Sequence, residues 1–262
     1  MDLELTGKVA LVAAATRGLG RAAAEALARE GASVYLCGRT PRAMEIAEEI
    51  ARSTGSEVDG CVADVSTPMG RDILFRKASD RFGKIDILVT NAGGPPAGVF
   101  EDFDDSFWYE AFDLNFMSVV GLVRWVIPGM KERGWGRIVT ITSIAVKQPI
   151  EGLILSNAVR TGVVGLVKSL SKELAPYGIT VNNVCPGYTA TERLVELAKS
   201  ISEKEGIPES AVEDRWCQQI PLGRLGRPEE LAALIAFLAS ERGSYITGAS
   251  IPVDGGFFAG LM

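Results

Sequence analysis

In the stretch LILSNAVR, Ser156 and Arg160 stand four residues apart among apolar neighbours. On a helix that spacing puts a hydroxyl and a guanidinium on one face. Asn157 comes next to Ser156 in sequence, but on a helix it points about 100° away. Chemically the pair is limited. An aliphatic hydroxyl is a far weaker acid than a phenol, and a guanidinium does not give up its proton.

A second set of residues suits phosphate. The run AAATRGLGRAAAEALA places Gly18, Gly20 and Ala23 in the pattern G-x-G-x-x-A, just where an apolar strand passes into a helix. At such a turn backbone N–H groups can meet a pyrophosphate. Cofactor choice is read at the end of the second strand, where NAD(H) calls for Asp or Glu. Here the segment is CGRTPR, with Arg39 nineteen residues after Gly20. Arg17, in the glycine turn, can converge on the same place. Two guanidiniums suit a 2′-phosphate, so NADP(H) is favoured over NAD(H).

Composition narrows the classes. The chain has 262 residues, 47% hydrophobic, with a net charge of −6 and no basic run, which argues against nucleic acid as a partner. It contains no histidine, and its four cysteines (Cys37, Cys61, Cys185, Cys217) form no CxxC pair. Zinc sites and histidine-based triads are thereby excluded, and no metal is expected. The start MDLELTGKVALV has no basic segment before its apolar run, and no unbroken apolar span of 18 residues occurs. The expectation is a cytoplasmic protein without a membrane partner.

Stepping from residues to elements, seven short apolar runs read as strands: 8–14, 33–37, 58–63, 85–91, 137–143, 179–185 and 250–256. Helical patterns lie between them, including a long one over about 104–132 and one over about 156–176. Runs apolar on both faces suit a parallel sheet covered on each side. The expected fold is α/β, a doubly wound parallel seven-stranded sheet with helices on both faces, a Rossmann fold. Gly31, Gly55, Gly83 and Gly178 fall where helices end. No linker divides the chain, so residues 1–262 read as a single dinucleotide-binding domain. Its irregular segment, about 186–227, is placed as a substrate lid.

In order along the chain stand the glycine turn, ADVS with Asp64, NAGG (91–94), Asn115, Ser143, CPG (185–187) and TGASIPVDGG. With these the chain resembles the short-chain dehydrogenase/reductase family over its whole length, and most of all its 3-oxoacyl-carrier-protein reductases. The resemblance implies cofactor contacts from Ala14, Thr16, Arg17, Gly18, Leu19, Gly20, Arg39, Asp64, Val65, Asn91, Ala92, Gly93, Arg160, Pro186, Gly187 and Thr189, with Asp64 on the adenine. The family's usual Thr-Gly opening is replaced by Ala13 and Ala14. Alanine tolerates positive φ poorly, so the turn is expected to begin in an ordinary backbone region.

The departure in the catalytic set is larger. Family enzymes use Asn, Ser, Tyr and Lys, the Tyr thirteen residues after the Ser and the Lys four later. Counting from Ser143 lands on Ser156 and Arg160. The resemblance thus implies Asn115, Ser143, Ser156 and Arg160 as the catalytic positions, with Arg160 able to bridge ribose hydroxyls. Lys147 and Tyr188 are possible substitutes for the missing proton donor.

The function implied is NADP(H)-dependent hydride transfer to or from a carbonyl or alcohol, acyl-type substrates included, through an atypical proton path. Two alternatives stand beside it: a non-catalytic dinucleotide-binding protein (a sensor or partner subunit), and an enoyl/dienoyl-type double-bond reductase. In the dienoyl branch the Tyr comes from elsewhere, but none lies between Ser143 and Ser156 here. The partners expected are a small-molecule substrate and, by family analogy, further copies of the chain in a tetramer or dimer.

Overall fold

The computed structural model describes residues 2–261. Its strands are β1 (Val9–Val12), β2 (Ser33–Gly38), β3 (Val58–Val62), β4 (Ile87–Thr90), β5 (Gly136–Ile141), β6 (Ile179–Pro186) and β7 (Ser250–Val253). The central four, β1, β4, β5 and β6, are buried at every position. That is why their sequences read as continuous apolar runs and not as alternations. All strands pair in parallel in one sheet of order β3-β2-β1-β4-β5-β6-β7. The order reverses between β1 and β4, and the crevice at the carboxyl ends there is where such sheets bind ligands.

The helices are α1 (Gly18–Arg29), α2 (Arg42–Thr54), α3 (Pro68–Phe82), α4 (Asp105–Phe112), α5 (Ser118–Arg133), α6 (Ile154–Leu174), α7 (Glu192–Glu205), α8 (Glu209–Gln219) and α9 (Pro228–Ala239). On one face α1, α2 and α9 bury Leu27, Ile46, Ile50, Leu231 and Ile235 against Val12 and Leu36. On the other, α3, α5 and α6 bury Leu74, Leu122, Val126, Val163 and Val167 against Leu11, Leu88 and Ile138. The doubly wound architecture is the one expected.

Several details differ from expectation. The long helix over 104–132 forms as α4, a π-helical turn at Asp113–Met117, and α5. Residues 105–133 are also long and apolar enough, by length and composition, to cross a membrane. The absence of an unbroken apolar span was therefore a weaker exclusion than it looked, although α5 here packs on β4, β5 and α3. Gly55 and Gly83 end α2 and α3 in the left-handed conformation, whereas Gly31 stands one residue past the cap of α1. Gly178 closes the 3-10 turn Ala175–Tyr177 that follows α6, not α6 itself.

The segment expected to be irregular carries two full helices, α7 and α8. They meet through a small core of Leu194, Ala198, Val212 and Trp216. Its ends are pinned together: Ala190 N–H donates to Gly226 O at 2.8 Å, and Gly226 N–H to Tyr188 O at 2.9 Å.

Candidate functional site

The glycine turn is built by the two strands flanking β1. Ala13 N–H donates to Val89 O and Ala15 N–H to Cys37 O, so the chain is held from both sides as it leaves the sheet. Between them Ala14 adopts φ +48. This corrects the expectation of an ordinary backbone region there. The turn imposes the left-handed residue because the Ala14 N–H reaches Cys37 Sγ (3.5 Å) while its carbonyl accepts from Asn91 Nδ2 (3.1 Å). Such a residue costs about 1–2 kcal/mol, which those fixed partners must offset.

Gly18 follows with φ +55 and opens α1. Its N-cap, Arg17, makes no side-chain cap, so the first-turn N–H groups stay available to an anion. Gly20 has no room for a side chain: a Cβ would stand 2.6 Å from both Ala14 O and Asn91 Nδ2. A Cβ on Gly38 would collide with Thr16 Cγ2. Leu19 packs against the core on the α1 side of the sheet. This cradle, with its bare helix terminus, fits the diphosphate of a dinucleotide.

After β3, Asp64 Oδ1 accepts from Ser66 N–H (3.0 Å) and Ser66 Oγ (2.7 Å). Val65 is buried, and its carbonyl accepts from buried Arg71 at 2.8 Å. Arg39 is exposed and has no ion pair among the described residues. Arg17 is engaged elsewhere, its Nη1 on Glu196 Oε1 of α7 at 2.6 Å.

Of the positions expected to be catalytic, Asn115 and Arg160 converge on the turn after β4. Asn115, on the π-helical turn, donates from Nδ2 to Gly93 O at 2.9 Å. Arg160 donates to the same carbonyl at 3.3 Å and to Thr142 O at 2.9 Å. Ser143 Oγ accepts from Ala145 N–H at 3.1 Å, which leaves its hydroxyl proton to donate outward. Ser156 is buried on the same face of α6 as Arg160. Asn157 turns away as its helical position requires, exchanging two hydrogen bonds with the backbone of Ile150. Burial first, and the charge of Arg193 second, push the Arg160 guanidinium down to about 10.

A cavity of about 10 Å³ behind Arg160 is lined by Thr90, Asn115, Thr142 and Arg160, among others. Thr90 Oγ1, Asn115 Oδ1 and Arg160 Nε, all buried, have no hydrogen-bond partner. A larger cavity, about 530 Å³, opens between α1 and α7 and touches Gly18 but none of the catalytic positions.

Of the substitute donors, Lys147 ends the 3-10 turn Ile144–Val146 that Ser143 begins, and its charge reaches the Cys185 thiol. Tyr188 stacks on Trp216 at 5.1 Å and meets Phe257 edge-on. Burial pushes its phenol up, the direction opposite to what an acid working near neutrality requires. On the far side of the cradle Pro186 ends β6. A Cβ on Gly187 would stand 2.7 Å from Asp254 Cβ, and Thr189 Oγ1 donates to Gly187 O. Asn91, Ala92 and Gly93 line the turn itself, Asn91 and Ala92 also bounding the small cavity.

Sequence reasoning missed Arg193, Cys37 and Thr90. Arg193 donates from Nη2 to Pro95 O at 2.9 Å and lies over Gly94. The available signal was its place just after Thr191, a side-chain N-cap that starts α7 over the site.

Residues 13–258 match the family model described as enoyl-(acyl carrier protein) reductase. A 3-oxoacyl-(acyl-carrier-protein) reductase of Aquifex aeolicus is 37% identical over 259 residues, covering 98% of this chain and 100% of the relative. Among solved structures, L-sorbose reductase from Gluconobacter frateurii, complexed with NADPH and L-sorbose, superposes with a TM-score of 0.95. It is 33% identical and covers 100% of both chains. Actinorhodin polyketide ketoreductase with NADPH gives a TM-score of 0.92 at 34% identity, over 97% of this chain and 98% of that one.

Proposed function

The chain belongs to the short-chain dehydrogenase/reductase family of NAD(P)-dependent oxidoreductases, and from that premise we propose an NADP(H)-dependent enzyme for carbonyl or alcohol substrates whose proton path does without the usual Tyr and Lys. The observation that carries the reading is the anchorage of Arg160. Buried, and bonded to Thr142 O and Gly93 O, it puts a permanent positive charge where the family's Lys would stand. Arg39 supports the choice of NADP(H), and NADPH accompanies the sorbose reductase and the polyketide ketoreductase.

The cradle at Gly18 and Gly20 would hold the diphosphate, Asp64 and Val65 the adenosine, and Pro186, Gly187 and Thr189 the other end. When bound, the dinucleotide supplies or takes the hydride. Ser143 donates its hydroxyl proton in a hydrogen bond to the substrate oxygen. Ser156 borders the same place from α6. Arg160 stabilises negative charge on that oxygen without yielding a proton. The proton itself comes from water, and Thr90 Oγ1, Asn115 Oδ1 and Arg160 Nε line a space of the right size and polarity for one molecule. Losing a general acid costs roughly 10²- to 10⁴-fold, so the rate is expected to be low but measurable.

The test is a screen of NADPH oxidation over ketones and aldehydes, repeated with Ser156→Tyr combined with Arg160→Lys. Slow turnover in the wild type and a gain of roughly 10²-fold or more in the double variant are expected. Tight NADPH binding with no oxidation in either protein would favour the non-catalytic reading. That second reading draws on one observation, the engagement of both terminal nitrogens of Arg160 by backbone carbonyls. In this proposal the chain acts as one domain, with 186–227 as its lid, in an assembly of identical copies.

A further inference from the structure

Arg160 and Arg193 are neighbouring cations that both bond to the turn after β4. Arg160 is 8% exposed; its two terminal nitrogens are bonded to Gly93 O and Thr142 O, and its Nε has no partner. Arg193 reaches the same turn from above. Its Nη2 donates to Pro95 O, and a Cβ on Gly94 would stand 3.3 Å from both its Nε and Nη2. Two guanidiniums therefore hold the turn 93–95, and the charge of Arg193 adds to burial in pushing the Arg160 guanidinium down.

Buried charge is ordinarily paired, yet Arg160 has no carboxylate partner among the described residues, and the Arg193 side chain beside it is 44% exposed. The carboxylate that comes near, Glu196, is 3.9 Å from Arg193 Nη1, but its close partner is Arg17 at 2.6 Å. Ser143, whose Oγ accepts from Ala145 N–H, keeps its proton to donate, and Lys147 stands four residues after it. A site with two guanidiniums, whose nearby carboxylate Glu196 is held mainly by Arg17, is complementary to an anion.

We infer that Arg193, poised over the turn that Arg160 holds, forms a subsite for a carboxylate carried by the substrate, so that the preferred substrates are keto acids or the matching hydroxy acids. The kinetic part of this inference rests on the reductase reading; the binding part does not. The same anion chemistry could come from the phosphates of the dinucleotide. Thr191, two residues before Arg193, lies 3.4 Å from the Cβ position of Gly18.

The experiment compares pyruvate, acetoacetate and levulinate with their methyl esters on the NADPH-loaded protein. Binding is read by calorimetry and turnover by NADPH oxidation. At least one acid is expected to bind about tenfold or more tighter than its own ester, the effect of one charge-assisted contact. Arg193→Gln is expected to bring that acid-to-ester ratio close to one, and Arg193→Lys to keep part of it. Carboxylate-dependent binding without NADPH oxidation would support the subsite while removing the reductase reading. Equal binding of every acid and its ester by the wild type would overturn the inference. So would an Arg193→Gln protein that loses NADPH affinity while its acid-to-ester ratio is unchanged, because the arginine would then serve the cofactor's phosphates.

Discussion

Ala14 is left-handed because its N–H and its carbonyl are claimed from different directions, by Cys37 at the end of β2 and by Asn91 after β4. Glycine would make the same two contacts without the steric cost of a Cβ. That cost is about 1–2 kcal/mol, against roughly 0.5–1 kcal/mol for the extra freedom glycine has when unfolded. Ala14→Gly is therefore expected to stabilise the protein by about 0.5–1 kcal/mol, seen as a higher urea midpoint at unchanged slope. A lower midpoint would mean that the alanine methyl packs more favourably than its backbone is strained. At this scale the sequence was informative where chemistry depends on local spacing. Ser156 and Arg160 share a buried helix face, and Gly18 opens α1, as their intervals imply. It was silent where a residue's state depends on distant partners. The handedness of Ala14 needs Cys37 and Asn91, and Arg193 reaches Pro95 across almost a hundred positions.

Between α8 and α9, one carboxylate organises an element boundary. Glu230, in the first turn of α9, accepts from Arg227 N–H at 2.7 Å and pairs with Arg224 Nη2 at 2.7 Å. The Arg224 hydrogen bond above all, then the Arg227 N–H, hold its carboxyl down to about 2. A carboxylate lowered on folding contributes stability that is complete above its unfolded value of 4.5. That stability is lost as pH falls from there through about 2. Wild-type thermal stability is expected to decline across that window, and Glu230→Gln should flatten this part of the decline while lowering stability at pH 7. Identical pH profiles for the two proteins would show that the pair contributes nothing measurable, as exposed ion pairs often do. Elements were legible in proportion to their burial. Strands apolar on both faces were found almost end to end. The break between α4 and α5 was hidden, because a π-helical turn inserts one residue into a pattern that stays apolar on both sides. In the segment 186–227, α7 and α8 share a core of only four buried residues, so their apolar stripes are too sparse to stand out among charged neighbours.

Over the whole molecule, the apolar surface is uneven in a way the sheet does not explain. Both faces of the sheet are covered, yet α4 and α5 leave aromatic rings outside: Tyr109 is 71% exposed, Phe112 43% and Trp125 40%. Phe112 stacks on Phe116 at 4.9 Å and Trp125 on Phe75 at 5.0 Å, which fixes the rings as a rigid surface. Rings held in place lose little further entropy on being covered, and exposed aromatic surface of this kind suits a contact site. The homo-oligomer implied by the family resemblance would cover this face with the same face of a second copy, as a two-fold axis requires. Sedimentation equilibrium is accordingly expected to give a dimer or tetramer. Tyr109→Glu together with Phe112→Glu, which puts like charges opposite one another across such an axis, should shift the mass toward the single chain while leaving far-ultraviolet circular dichroism unchanged. A wild-type protein that sediments as a monomer at every concentration tested would sink the assignment of this face. The proposed keto-acid subsite would be untouched by that result, because Arg160 and Arg193 bond to one turn of a single chain.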